Sequence, residues 1–180
     1  MKIIKTGIPD LVIIEPRVGN ARAAGGDVWT TGGFSKAKLD LAYVQDNHRG
    51  LQKGILRGLH FQKPKQHGKL ASVTRGAVFH VAVDLRWSSP YFGKWVGTEL
   101  SAHNQRMLWA PEGFANGFLS LADGTDVLYQ CTAPYSPENE HILFWNDPAV
   151  AIDWPVDGWD PIISEKDASG HSLSQVPVFA

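Results

Sequence analysis

The stretch AVFHVAVDL, residues 77–85, alternates its side chains in the manner of a β-strand. Alternation would place Phe79, Val81 and Val83 on one face of that strand, and His80 and Asp84 on the other. Two ionisable residues on one face indicate either a solvated surface or the lining of a polar cavity. The remaining residues on that face are small and apolar, which favours the cavity.

Other short apolar runs have the same character, and turn sequences such as TRGA, SSPYFG and ADGTD lie between them. They are LVIIE (11–15), KLASV (69–73), WVGTEL (95–100), RMLWA (106–110), GFLSL (117–121) and DVLYQCT (126–132). The pattern predicts a single all-β domain over residues 1–180, built as a sandwich or a barrel-like jelly roll. Only short helical segments are expected, around Ser35–Leu39 and near Glu165.

The charge balance limits the possible partners. The 180 residues include 17 Lys and Arg against 18 Asp and Glu, for a net charge of −1. This balance predicts no general attraction to nucleic acid or to an anionic membrane, so any phosphate must be held by a few placed cations. The single cysteine, Cys131, cannot form an intramolecular disulfide, which fits a reducing cytoplasm. The apolar runs near residue 1 are too short for a signal peptide or a spanning helix.

The stretch RGLHFQ, residues 57–62, combines a cation with a histidine. His60 could act as a general base, because its unperturbed pKa lies near neutrality, or it could be structural. Arg57 could bind a phosphate or could be a surface cation. Three residues apart, the two would face opposite sides of a regular strand, unless Gly58 introduces a bulge.

Lys69 and Tyr129 are further candidates. A lysine at the mouth of a barrel can stabilise an enolate oxygen, and it can also protect a strand edge against aggregation. Tyr129 could donate a proton or could be a core tyrosine whose hydroxyl is paired.

The sequence predicts no metal site. PEGFANGF, residues 111–118, resembles the second metal motif of cupins, but Asn116 stands where that motif has a histidine. The first cupin motif needs a closely spaced His-x-His, and the sequence has none. The ligands of a typical iron, zinc or manganese site are therefore missing.

Taken in order, several motifs make the sequence similar to the dTDP-4-dehydrorhamnose 3,5-epimerase family. They include GILRGLHFQ (54–62), VAVDLRWSSPYFGKWVG (81–97), LSAHNQRMLWAPEGFANGFL (100–119), FWNDPAVAIDWP (144–155) and SEKDA (164–168). The resemblance implies a cupin fold, a homodimer and a place in rhamnose biosynthesis. It also implies a substrate that is a nucleotide-linked 4-keto-6-deoxy sugar, and chemistry that needs no cofactor.

The resemblance assigns roles to individual residues. His60 would be the base, oriented by Asp167, and Tyr129 would return a proton from the opposite face of the sugar. Lys69 would stabilise the enolate oxygen. The residues that would contact the ligand are Arg57, which would hold the diphosphate, and Gln45, Asp46, Asn47, Glu140, Lys166, Arg22 and Asp27.

The sequence also departs from the family pattern. The family usually has histidine at the position of Asn116 and aspartate at the position of His80. The family histidine helps hold the sugar near the ketone, so the resemblance implies that Asn116 and His80 contact the substrate. We expect the two positions to be close together in the cavity, so the sequence predicts a hydrogen bond between His80 and Asn116. Two further departures, AAGG at 23–26 and Pro134, put thymine as the base in question. These departures leave two alternatives open: a single-carbon epimerase, and a binding protein without catalysis.

Overall fold

The computed structural model describes residues 1–16, 35, 39 and 41–180. Arg22, Asp27, the AAGG segment and most of the helix expected around Ser35–Leu39 lie outside the described residues. The strands in the described part are β1 (Lys2–Lys5), β2 (Val12–Glu15), β3 (Gln45–Leu51), β4 (Ile55–Gln62), β5 (Lys69–Arg75), β6 (Ala77–Asp84), β7 (Trp95–Ser101), β8 (Met107–Ala110), β9 (Phe114–Ser120), β10 (Thr125–Cys131), β11 (Glu140–Ile142) and β12 (Ile162–Ile163).

Two short helical segments with described bounds accompany these strands, and Ser35 is also helical. One is a 3-10 helix at Pro137–Asn139, and the other is the helix α1 at Glu165–Ala168. The expected helical turn near Glu165 is therefore confirmed. In the part of the chain that the structure describes, no helix has the length and apolar character that crossing a membrane requires.

The strands form two sheets. The first sheet has the order β1-β2-β8-β5-β10-β3, and all of its pairs are antiparallel. The second has the order β11-β4-β9-β6-β7, with β12 running parallel to one end of β4. Most neighbours in space are distant in sequence, so each sheet depends on contacts made across the whole chain. The prediction of an all-β sandwich is confirmed.

The apolar core has two main parts. Between the sheets, Val78, Ala82 and Phe118 of the second sheet pack with residues of the first such as Leu108 and Val127. On the other face of the second sheet, a separate cluster joins β4, β6 and β9 to the segment after β11. This arrangement explains the alternation in residues 77–85, because each face of β6 packs in a different cluster.

Candidate active site

A cavity of about 390 Å³ opens between the sheets. Its lining comes from β3, β4, β5, β6, β9, β10, β11 and α1, so residues from all over the sequence meet there. The volume lies within the range of pockets that enclose a small organic ligand. His80 lines this cavity and is 4% exposed. Asp84, the other ionisable residue on that face of β6, is also buried but lies outside the lining, where its carboxylate accepts from Arg86 Nη2 at 2.7 Å. The cavity interpretation is therefore confirmed for His80 and not for Asp84.

An irregularity in β4 brings Arg57 and His60 to the same cavity. The pairing of β4 with β9 shifts register between these two residues, and Gly58 lies between them with φ of 119°. A Cβ on Gly58 would stand 2.6 Å from the Cα of Gly117, so the close approach of β4 to β9 requires glycine there. The bulge expected at Gly58 is present, and both Arg57 and His60 line the cavity.

Asp167 holds one side of the His60 ring. Its Oδ1 atom lies 2.7 Å from His60 Nε2, and its side chain is 1% exposed. Ser164 caps the start of α1, accepting from the backbone N–H of Asp167 at 3.1 Å and donating to its Oδ2 atom at 2.6 Å. The backbone N–H of Gly58 donates to Oδ1 at 3.2 Å, and Arg57 Nη1 lies 3.5 Å from Oδ2. The buried carboxylate is thus fixed by several partners at once.

Glu140 holds the other side of the ring. Its Oε1 atom lies 2.9 Å from His60 Nδ1. Its second oxygen accepts from the hydroxyl of Tyr135 at 2.8 Å and pairs with the ammonium group of Lys166. Both nitrogens of the imidazole therefore face a carboxylate.

This geometry favours the charged forms of all three groups. Burial alone would lower the pKa of His60, but the carboxylates of Asp167 and Glu140 outweigh it and raise that pKa above 6.5. Burial would raise the pKa of each carboxyl, and His60 with the other donors lowers both below their usual range. An imidazolium between two carboxylates is the form that these distances stabilise.

Lys69 and Tyr129 line the same cavity from the first sheet. The Nζ atom of Lys69 lies 5.8 Å from the centre of the Tyr129 ring. Burial lowers the pKa of Lys69 and raises the pKa of Tyr129, and the charge of Arg49 partly opposes the second shift. An imidazole, a phenolic hydroxyl and the amine of a lysine therefore line one cavity.

Comparison with known proteins identifies the family of the chain. The sequence model of the family described as dTDP-4-dehydrorhamnose 3,5-epimerase matches residues 5–175 of the chain. The chain belongs to this epimerase family.

Individual members of the epimerase family are similar along the whole chain. The dTDP-4-dehydrorhamnose 3,5-epimerase of Pseudomonas aeruginosa is 44% identical over 181 residues, which cover 99% of both proteins. The enzyme of the same name from Neisseria gonorrhoeae is 46% identical over 176 residues, covering 97% of this chain and 53% of that relative. The chain thus spans about half the length of the Neisseria protein.

A solved structure of the same family confirms the fold. The crystal structure of dTDP-6-deoxy-D-glucose-3,5-epimerase from Legionella pneumophila Philadelphia 1, in complex with dTDP-4-keto-L-rhamnose, superimposes with a TM-score of 0.91. The identity is 43%, and the match covers 98% of this chain and 94% of that one. The protein shares the cupin-like β-sandwich of these epimerases.

The hydrogen bond expected between His80 and Asn116 is absent from the described structure. Asn116 instead donates its amide to the carbonyl of Phe114 at 3.2 Å, and its Oδ1 atom is buried without a partner. The Nδ1 atom of His80 is likewise buried and unpaired. In the β6–β9 register, Asn116 lies opposite Ala82 while His80 lies opposite Phe118. The two side chains both line the cavity, but they are not directly opposite one another.

The nucleotide-binding stretch predicted in β3 divides between two faces. Asn47 lines the cavity, and Gln45 supports this face by donating to Asn47 Oδ1 at 3.0 Å. Asp46 is not part of the lining, because strand alternation turns it to the other face, where its carboxylate accepts from Gln130 at 3.1 Å. Glu140 and Lys166, two further predicted contacts, both line the cavity.

Several lining residues were not predicted from the sequence. They include Arg49, Gln62, His67, Cys131 and Tyr135. Arg49 and Cys131 could have been found by extending the period-two pattern from Asn47 and Tyr129. His67 lies in the loop between β4 and β5, where no periodicity applies.

No metal centre is evident in the part of the chain that the structure describes, since it contains no group of three or more His, Cys, Asp or Glu residues arranged to hold an ion.

Proposed function

We propose that this protein epimerises dTDP-4-dehydro-6-deoxy-D-glucose at carbons 3 and 5, giving dTDP-4-dehydro-L-rhamnose. The observation that carries the proposal is the convergence of His60, Tyr129 and Lys69 on one cavity, with Asp167 fixed behind His60. Family membership over residues 5–175 supports the same conclusion. The single cysteine supports a cytoplasmic location for the enzyme.

The proposed reaction begins at a carbon next to the ketone. Neutral His60 removes the proton, and the electrons of the broken C–H bond delocalise into the carbonyl as an enolate. The ammonium group of Lys69 stabilises the oxygen that gains charge. Tyr129 then donates its phenolic proton to the other face of the same carbon, which inverts that centre and restores the ketone. Its phenolate forms near the charge of Arg49.

Glu140 occupies the nitrogen of His60 that would accept the proton from the substrate. Neutral imidazole carries one proton, and Asp167 at Nε2 favours keeping that proton on Nε2, so Nδ1 has the lone pair. Glu140 Oε1 lies 2.9 Å from that nitrogen in this structure. We infer that the substrate displaces Glu140 from Nδ1 before the proton moves, and that Lys166 and Tyr135 hold the displaced carboxylate.

The proposal is tested by NMR of dTDP-4-keto-6-deoxyglucose in deuterated buffer. We expect the protein to introduce deuterium at both carbons next to the ketone and His60→Ala to introduce none. Tyr129→Phe should still exchange deuterium, because the base remains, but should not invert either centre. His48→Ala is the matched control, since His48 is exposed and lies outside the cavity lining.

Two other outcomes would replace the proposal. Deuterium at one carbon would identify a single-carbon epimerase, the alternative that rests on His80 and Asn116 standing where the family usually has aspartate and histidine. Binding of the sugar nucleotide without exchange would identify a binding protein that does not catalyse.

We also propose that the protein is a homodimer formed through the β3 edge. In the described residues, β3 is paired on one side only, with β10, and Val44 just before it is 55% exposed. An open strand edge beside an exposed apolar residue can pair with a second copy. Light scattering after size exclusion should give twice the mass of the 19.8 kDa chain, and a monomer would contradict this proposal.

A further inference from the structure

The buried polar atoms that lack partners are concentrated in the cavity. Among the described residues, these side-chain atoms are His60 Nδ1, both ring nitrogens of His67, His80 Nδ1 and Asn116 Oδ1, and all four residues line the cavity. His60 Nδ1 faces Glu140 at 2.9 Å, so its position has an explanation. No group of the described protein pairs with the remaining atoms, which belong to His67, His80 and Asn116. We call these three residues the neutral face.

His67 differs from a structural residue of the same region. Gln62, at the start of the same loop, donates to the carbonyls of Lys65 and Pro134 and accepts from the backbone N–H of Ser136. Every polar atom of that buried amide is therefore used, as expected for a side chain that stabilises a loop. His67 is 8% exposed and uses neither ring nitrogen. An unpaired buried polar group destabilises the fold, so a structural role does not account for it.

The neutral face suits a ligand atom without charge. Burial, followed by the nearby charge of Lys69, lowers the pKa of both His67 and His80 to about 3. Each ring is therefore neutral at physiological pH and offers one N–H donor and one acceptor. Arg57, the residue that could hold a diphosphate, lines the same cavity but is 49% exposed, whereas His67 and His80 are buried.

We propose that His67 is a specificity residue that hydrogen-bonds an uncharged oxygen, a hydroxyl or carbonyl, of the sugar bound in this cavity. His80 and Asn116, for which the family resemblance already implies contact with the substrate, complete the neutral face. The inference rests on the proposed function in so far as the ligand is a sugar nucleotide. The inference adds His67 to the proposed substrate contacts. It also adds a mode of recognition, in which a neutral imidazole binds the sugar part of the ligand and not its nucleotide part.

Calorimetric titration with dTDP and with dTDP-glucose tests this inference, because only the second ligand carries a sugar. We expect His67→Leu to weaken dTDP-glucose binding about tenfold, the loss of one hydrogen bond, and to leave dTDP binding unchanged. The unfolding temperature of the variant should be unchanged or raised, because an unpaired polar group has been removed. His103→Leu is the control, since His103 is exposed and outside the lining.

Equal affinity of wild type and His67→Leu for dTDP-glucose would overturn the inference, as would an equal loss of affinity for both ligands. If the leucine variant does not fold, His67→Asn serves the same purpose, because its shorter amide does not reach the sugar. Turnover by the wild type is measured separately by deuterium exchange. Failure of the proposed function is therefore distinguishable from failure of the role given to His67.

Discussion

His60, the proposed base, illustrates how two acidic neighbours shift the pKa of one imidazole. Asp167 lies 2.7 Å from one ring nitrogen and Glu140 lies 2.9 Å from the other. Their negative charges stabilise the imidazolium and raise the pKa of His60, although burial opposes this. A base must be neutral to accept a proton, so activity should fall as the pH drops below that raised pKa.

Replacing Asp167 by asparagine should shift the acid limb of the pH profile, which is the fall in activity at low pH. The amide keeps the shape but removes the charge that stabilises the imidazolium, so the pKa of His60 falls. We expect the acid limb of kcat/KM to move to lower pH by about one unit. The rate at the optimum should fall roughly 100-fold, because the imidazole loses its orienting partner. The measurement is the pH profile of deuterium exchange.

The control for Asp167→Asn is Glu138→Gln, which removes an exposed carboxylate outside the cavity lining. An acid limb that stays in place in Asp167→Asn would show that this carboxylate does not set the pKa of the base.

At the scale of elements, the bulge in β4 decides which residues share the cavity. A regular strand would separate Arg57 from His60, and the register shift against β9 places both on the lining. Gly58 and Gly117 face one another there. A Cβ on Gly117 would stand 2.7 Å from the carbonyl oxygen of Arg57, which is too close for a side chain. The two strands can approach this closely only where both lack side chains.

Gly58→Ala should therefore be severely destabilising. Its φ of 119° is unfavourable for alanine, and the new Cβ would lie 2.6 Å from Gly117 Cα and 2.8 Å from the carbonyl oxygen of Asn116. We expect a loss of about 2–4 kcal/mol in the free energy of unfolding, measured with urea. Gly7→Ala, where a Cβ meets nothing within 4 Å, should change it by less than about 0.5 kcal/mol. Equal effects of the two changes would contradict this account of the bulge.

The sequence predicted the strands with alternating apolar residues and missed those without them. β5 to β10 each bury at least one apolar residue in a cluster, and that burial produces the signal. The edge strand β3 reads QDNHRGL and buries only Leu51, so its sequence lacks a hydrophobic period. The sequence could not show which side of β3 Asp46 faces, because similarity to a nucleotide-binding stretch does not tell which of its residues point into the cavity.

Candidate residues on strands were easier to predict than those in loops. Lys69 and Tyr129 lie on the paired strands β5 and β10 of the first sheet, and His60 lies on β4 of the second sheet, so the cavity between the sheets brings the three together. His67 depends on the path of the loop between β4 and β5, which no local pattern specifies. The contact between Glu140 and His60 depends on the short pairing of β11 with β4, and three residues give too little pattern to predict it.

At the scale of the whole molecule, the C-terminal segment covers the outer face of the second sheet. Phe179 is 4% exposed, its backbone N–H donates to the carbonyl of Leu85 at 2.9 Å, and its ring meets Phe61 edge-on at 5.7 Å. Because β4 carries His60 on its other side, this outer cluster supports the strand that positions the proposed base.

Phe179→Ala should lower the free energy of unfolding by about 3–5 kcal/mol, since it leaves a cavity in a packed cluster. Trp87→Ala is the matched control: Trp87 is 68% exposed, and its removal should cost under about 1 kcal/mol. Chemical denaturation monitored by circular dichroism gives both values. A small effect of Phe179→Ala would mean that the outer cluster closes around the gap or that the segment is dispensable.

The contact between Glu140 and His60 has a consequence for how substrate and hydrogen ions compete. The carboxylates of Asp167 and Glu140 favour the protonated form of the His60 ring. A sugar that displaces Glu140, as we propose, would remove one of these two carboxylates from the ring. Uptake of the sugar nucleotide is then linked to release of that proton into solution. The apparent affinity for the sugar nucleotide should therefore rise with pH until the His60 ring is neutral in the free protein. Protons and the sugar nucleotide would then compete for the same site.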